Sequence, residues 1–192
     1  ASDVYKRQEQ DRLEYYFGKE CYEAYLKGLK QFWKKQDVSL NARRTNRIPG
    51  EALVILEAVT EVKKQGQDLT KLDENLARKA LIAACYNLNT WPEWFEEVAL
   101  SFPKMTQEIV KTAIEMEIGK DFSSILNRIV YEKNEEILTL LLPVVWEILE
   151  TSEPRWNLNN LKNGLRIIKH YEEKLQEIVQ WTMQKGKIYW KK

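Results

Sequence analysis

The residues able to do chemistry are few and scattered. One histidine, His170, stands in the chain, in a stretch crowded with lysine and glutamate. A catalytic nucleophile needs a base within hydrogen-bond reach and a third group to orient that base. A lone imidazole on a charged helix has neither, so His170 reads as a surface or helix-packing residue. Cys21 and Cys85 lie in separate helix-like segments, each without a second cysteine or a histidine nearby. A disulfide framework or a metal site needs more ligands at tighter spacing. Both therefore read as buried thiols in a reducing compartment. The carboxylate pairs Glu96–Glu97, Glu135–Glu136 and Glu172–Glu173 fall on polar helix faces or in first turns, where negative charge complements the helix dipole. Seven isolated glycines form no phosphate-cradling loop. No catalytic, cofactor-binding or metal-ligating residue follows from these types and spacings. The expectation is a chain that is not an enzyme and holds no cofactor.

Two patches have chemistry of another kind. Arg43, Arg44 and Arg47 cluster in a polar stretch, 37–48, that reads as a loop. Loop arginines grip phosphates when a nucleic acid is the partner; otherwise they are simply solvated. The second patch is Trp91, Trp94 and Phe95 around Pro92. Any of these that projects is an anchor for a protein partner, because Trp is enriched at binding hot spots. Those that point inward close a helical hairpin against its neighbour.

The elements that must position these residues are helices. Apolar residues make up 44% of the 192 and charged residues 31%, enough to bury a core and still dissolve. A net charge of +1 gives no global field toward nucleic acid or an anionic membrane. The longest apolar run, Ile137–Ile148, is broken by Thr139, Pro143 and Glu147 and is too short to span a bilayer. No secretory signal is visible, and the expected location is the cytoplasm.

Helical spacing runs through nearly every segment, and sustained alternation through none. A first helix is predicted from Gln10 to Lys35, with Gly18 a possible break. Pro49 opens a second, striped by Ala52, Ile55, Leu56, Val59 and Val62 and ended by Gly66. Thr70 with Asp73 signals the cap of a third, rich in small alanines. Pro92 and Pro103 each start short helices, over Pro92–Leu100 and Lys104–Ile118. Asp121 is the expected cap of a helix striped by Ile125, Leu126 and Ile129, and Asn134 the cap of the next. That one, to about Glu150, is apolar nearly all round and is the expected centre of the core, with Ile125, Leu126, Leu138, Leu141 and Val145 buried. Pro143 is expected to kink or split it. After Pro154, with Asn157 or Asn159 as cap, periodicity fits one long helix or two to Gly186.

Pro92–Pro103 and Pro143–Pro154 echo each other: proline at both ends, an aromatic three residues in, glutamate four in, serine nine in. Each block reads as a short proline-started helix followed by a turn. Such spacing suits HEAT-like arrays. The expected fold is all-α, a HEAT-like α-solenoid segment of stacked helical hairpins over 9–186, with a tail at 187–192; the alternative is a closed helical bundle.

Residues 1–8 fit an in-frame translation of the end of a transposase sequencing adaptor. They are expected to be an artefactual extension that packs against nothing. The stretches Tyr22–Trp33, Leu76–Leu88 and Leu88–Phe95, with the proline-started helix at Pro103, resemble helical regions of large bacterial NACHT/STAND-type NTPases. That resemblance implies a sensor or scaffold segment of a larger, anti-phage defence protein, with any NTPase activity in a part upstream. The partner would then be a protein or the rest of its own chain. The alternative is a nucleic-acid-binding domain using Arg43, Arg44 and Arg47 with Lys34 and Lys35, in which binding falls steeply with salt.

Overall fold

A computed structural model describes residues 14–45, 47–87, 90–121, 123–151, 156–170, 176–181 and 183, without the side chains of residues 44 and 45. The described residues are all helical or connecting, with no strand among them. The adaptor-like octamer lies outside the described residues.

A short helical stretch at 14–17 ends at Gly18, whose φ of 82° only glycine adopts without strain. Helix α1, Lys19–Lys35, follows, so the stretch read as helical from Gln10 to Lys35 is broken at Gly18, the break its sequence allowed. The stretch read as a polar loop contains a 3-10 helix, η1, over Leu40–Thr45, and Leu40 and Arg43 are buried in it. α2, Gly50–Lys64, starts after Pro49 and stops before Gly66, at φ 79°. A 3-10 turn, η2 (Leu69–Lys71), is capped by Asp68, and α3 (Glu74–Cys85) by Asp73, whose carboxylate accepts from the Leu76 N–H at 2.8 Å. Asp73 is thus the cap itself rather than the third residue after one. Ala77, Ala80, Ala83 and Ala84 of α3 are fully buried and allow the close approach their size suggested.

α4 (Phe95–Ser101) begins three residues after Pro92, whose carbonyl accepts from the Phe95 N–H at 2.8 Å. Pro103 is the first residue of α5 (Pro103–Glu115). α6 (Ser124–Val130) is capped not by Asp121 but by Ser123, which accepts from Leu126 N–H at 3.2 Å. Asn134 does cap α7, Glu135–Thr151, taking the N–H groups of Glu136 and Ile137. Pro143 lies inside α7 and is exposed, and the helix is not split. Pro143 cannot serve the Thr139 carbonyl; beside it, Gln107 of α5 reaches over to donate to the Leu140 carbonyl at 2.9 Å. α8, Leu158–Ile168, is capped by Asn157, and a turn at Lys169–His170 follows it.

Most packed helix pairs lie one or two places apart in the chain, and α7 also reaches back to α4. α1 lies on α2, α2 on α3, and α3 on α4 and α5; α7 rests on α4, α5 and α8, and α6 on α5 and α8. Among the described residues α1 and α8 share no packed face. The core runs continuously through these interfaces, with Ile125, Leu126, Leu141 and Val145 fully buried as expected. Leu138 is only partly buried, because it sits one turn ahead of Leu141 on the flank of α7. The proline echo has no structural counterpart: Pro92 precedes a short helix, whereas Pro143 is interior to a long one, and Pro154 lies outside the described residues.

Candidate functional site

The polar residues at the centre of the molecule converge where η1, the end of α3, the 116–123 connection and α6 meet. The last carbonyls of α3 have no partner within their own helix. Arg128 of α6 takes two of them, donating from Nη1 to the Ala84 oxygen at 2.8 Å and from Nη2 to the Cys85 oxygen at 2.7 Å. Arg43 of η1 donates from Nη1 to the same Cys85 oxygen, and from Nη2 to the Glu117 carboxylate and to Ser124 Oγ, the last at 2.5 Å. Two buried guanidinium groups thus share one carbonyl.

Glu117 is the carboxylate of this network. Besides Arg43 it accepts from the hydroxyls of Ser123 (2.8 Å) and Ser124 (3.2 Å) and from the Ile125 N–H (3.3 Å). Asn160 of α8, fully buried, accepts from the Ser123 N–H at 2.9 Å and donates to the carbonyls of Glu117, Ile118 and Lys120. The network therefore ties four elements that are far apart in sequence.

Its electrostatics are unbalanced. Arg43 and Arg128 are 6% and 4% exposed, and Glu117 is the carboxylate between them. Arg128 has carbonyl oxygens and a serine hydroxyl as acceptors instead, at the negative end of α3. The face of Trp91 covers its guanidinium at 4.7 Å. Burial, foremost, pulls the Arg128 basicity down to about 10, which leaves it charged at neutral pH. Burial also pushes the Cys85 thiol up to about 11, so it is protonated and inert.

Outside the network an open cleft of about 590 Å³ is lined by Arg43, Arg47, Lys120, Ser124, Glu117 and Asp121, among others. Arg47 is exposed at its rim. The Lys120 ammonium reaches back to the Arg43 carbonyl. Arg43 itself stacks over Tyr86 at 5.4 Å, and its Nε–H, buried, has no acceptor among the described residues.

The arginine cluster is thus divided. Arg43 faces inward and Arg47 the cleft rim, while the side chain of Arg44 lies outside the described residues. The expectation that this is a solvated loop with few native contacts is corrected for Arg43: its planar, multi-donor head answers the unpaired carbonyl at the end of α3. The aromatic patch is divided too. Trp94 and Phe95 are buried, Trp94 donating to Thr60 Oγ1 at 3.1 Å, and neither projects. Trp91, half-buried, stacks on Phe95 with centroids 4.0 Å apart and has Arg128 above it, so its rings are occupied from within.

Glu117, Arg128 and Asn160 are not among the residues that composition and spacing single out. A signal for two of them exists: Glu117 sits between Ile114 and Ile118, and Arg128 between Ile125 and Ile129, charged residues in phase with an apolar stripe. Among the described residues no three His, Cys, Asp or Glu side chains gather to hold a metal, and no helix is long and apolar enough to cross a membrane. No family model matches the chain, and neither a curated protein nor a solved structure matches it.

Proposed function

We propose that this chain is a non-catalytic helical scaffold of stacked hairpins, a binding or sensing segment that acts in the cytoplasm. One observation carries the reading. The buried polar side chains at the centre bind one another and the ends of helices, so they brace the stack rather than present a reacting constellation. Packing mostly between helices one or two places apart in the chain, with no shared face between α1 and α8 among the described residues, supports an open array over a closed bundle. The resemblance to helical regions of NACHT/STAND-type NTPases points the same way and suggests a larger bacterial, anti-phage protein as its setting. The nucleic-acid alternative is weakened because Arg43 engages Glu117 and the end of α3 instead of solvent.

Small-angle scattering tests the reading. A compact globule of this length has a radius of gyration of ~16 Å, and a stacked array should exceed it while remaining monodisperse at low concentration. A monomer at or below ~16 Å defeats the array in favour of the bundle.

A further inference from the structure

The cleft beside the buried network is lined by charged side chains from segments distant in sequence. Its volume, about 590 Å³, falls within the range of small-molecule sites. Three cations, Arg43, Arg47 and Lys120, line it against two carboxylates, Glu117 and Asp121. Glu117 is already engaged by Arg43, two serine hydroxyls and a backbone N–H, so its charge is taken up inside the wall. Asp121 is exposed and accepts a long, 3.4 Å bond from the Asn157 amide. Behind Ser124 stands Arg128, a second buried guanidinium without a carboxylate on it. Positive charge fixed in a poorly solvated wall acts over a longer range than the same charge in water. The wall thus favours an anion in the cleft, and Arg47, exposed at the rim, has no acceptor for its side chain among the described residues.

We propose that this cleft binds a small molecule bearing a phosphoryl group, gripped by Arg47 and Lys120 at its mouth and attracted by the buried Arg43–Arg128 pair. A phosphoryl group suits the site better than a single carboxylate. It has more acceptor oxygens for donors that come from two separate segments, the loop after η1 and the 116–123 connection. The cleft is larger than one oxyanion requires, so the group comes attached to a larger body. The proposal rests on the reading of the chain as a binding scaffold and names what it binds.

Isothermal titration of the full chain with pyrophosphate, glucose 6-phosphate and AMP tests it. At least one should bind saturably, and Arg47→Glu should weaken that binding at least tenfold. Lys120→Met should weaken it too. Arg47→Glu keeps the wild-type circular dichroism and urea midpoint, since Arg47 is exposed; Lys120→Met also loses the bond to the Arg43 carbonyl, so its urea midpoint is measured alongside its binding. No heat from any of the three at millimolar concentration overturns the proposal, as does binding that Arg47→Glu leaves unchanged. A single-stranded RNA oligomer that binds more tightly than all three, is lost in Arg47→Glu and falls steeply with salt overturns it in favour of nucleic acid. Turnover of a phosphate ester would leave the site standing but remove the non-catalytic reading. A radius of gyration near the compact value would remove the array and leave the cleft untouched.

Discussion

Glu117→Gln is the most incisive perturbation of the network. It keeps the shape of the side chain and removes the charge that faces two buried guanidinium groups. In the native protein Arg43 and Glu117 side chains are 5% and 8% exposed, so solvent screens the pair very little. Leaving one partner of a buried ion pair uncompensated costs ~3–5 kcal/mol, and here Arg128 stands in the same pocket and adds to the uncompensated charge. Against a total stability of roughly 5–15 kcal/mol that is a large fraction. With a urea slope of about 2 kcal/mol/M, the midpoint should fall by about 1.5–2.5 M. Tryptophan fluorescence reports the transition, because Trp33, Trp94 and Trp156 are buried in the native state. Arg43→Met should cost a similar amount. The double variant should cost less than the two combined by about 1–3 kcal/mol, since neither Arg43 nor Glu117 is then left without its charged partner. A midpoint shift under ~0.25 M for Glu117→Gln, or strict additivity within ~0.5 kcal/mol, would refute the view that this pair is buried and coupled.

Other outcomes follow from single sites. Leu141 is fully buried in α7, so Leu141→Ala should cost ~2–5 kcal/mol by urea titration, and a loss below ~0.5 would misplace α7. Gly164 of α8 has room for little: an added Cβ would lie 3.3 Å from Leu149 Cδ2 and from two ring atoms of Trp156. Gly164→Leu should therefore lower the midpoint by the equivalent of ~1–3 kcal/mol, and a neutral result would mean that α7 and α8 are not this close. Cys21, expected to be buried like Cys85, is exposed, so a thiol reagent should titrate Cys21 alone in the native protein and Cys85 only after denaturation; prompt reaction of both would place Cys85 at the surface. Thr70, first through its hydroxyl, and then Lys71 hold the exposed Asp68 carboxyl down at about 2. Its folded pKa lies below the unfolded one, so its small contribution is complete above the ordinary carboxylate pKa and fades as pH falls toward about 2. Asp68→Asn should flatten that acid limb of stability, and an unchanged limb would show that Asp68 is not held this way.

The helices were legible because their stripes are local. The apolar residues of α2, α5 and α7 recur at spacings that only a helix turns to one side, and prolines, glycines and Asn134 mark ends by their own backbone chemistry. Where the sequence misled, a local signal was outweighed by a distant partner. Asp121 is as good a cap as Ser123 on propensity alone. Ser123 takes the position because its N–H is fixed by Asn160, 37 residues away, and its hydroxyl by Glu117. Arg43 looks solvated in a window of polar neighbours. What draws it inside is the uncapped carbonyl of Cys85 and the carboxylate of Glu117, neither visible within a turn of it in sequence. The cleft escapes notice for the same reason, since its walls are assembled from η1, the end of α3 and the 116–123 connection, and it exists only once the network has joined them. Charge in phase with an apolar stripe, as at Glu117 and Arg128, is the trace such networks leave in a sequence. A charge on the core face of a helix is stabilised where another element meets it with the opposite charge or with the carbonyl end of a helix. In this chain both occur, at one point, and the element that brings them together is the segment that reads most like a loop.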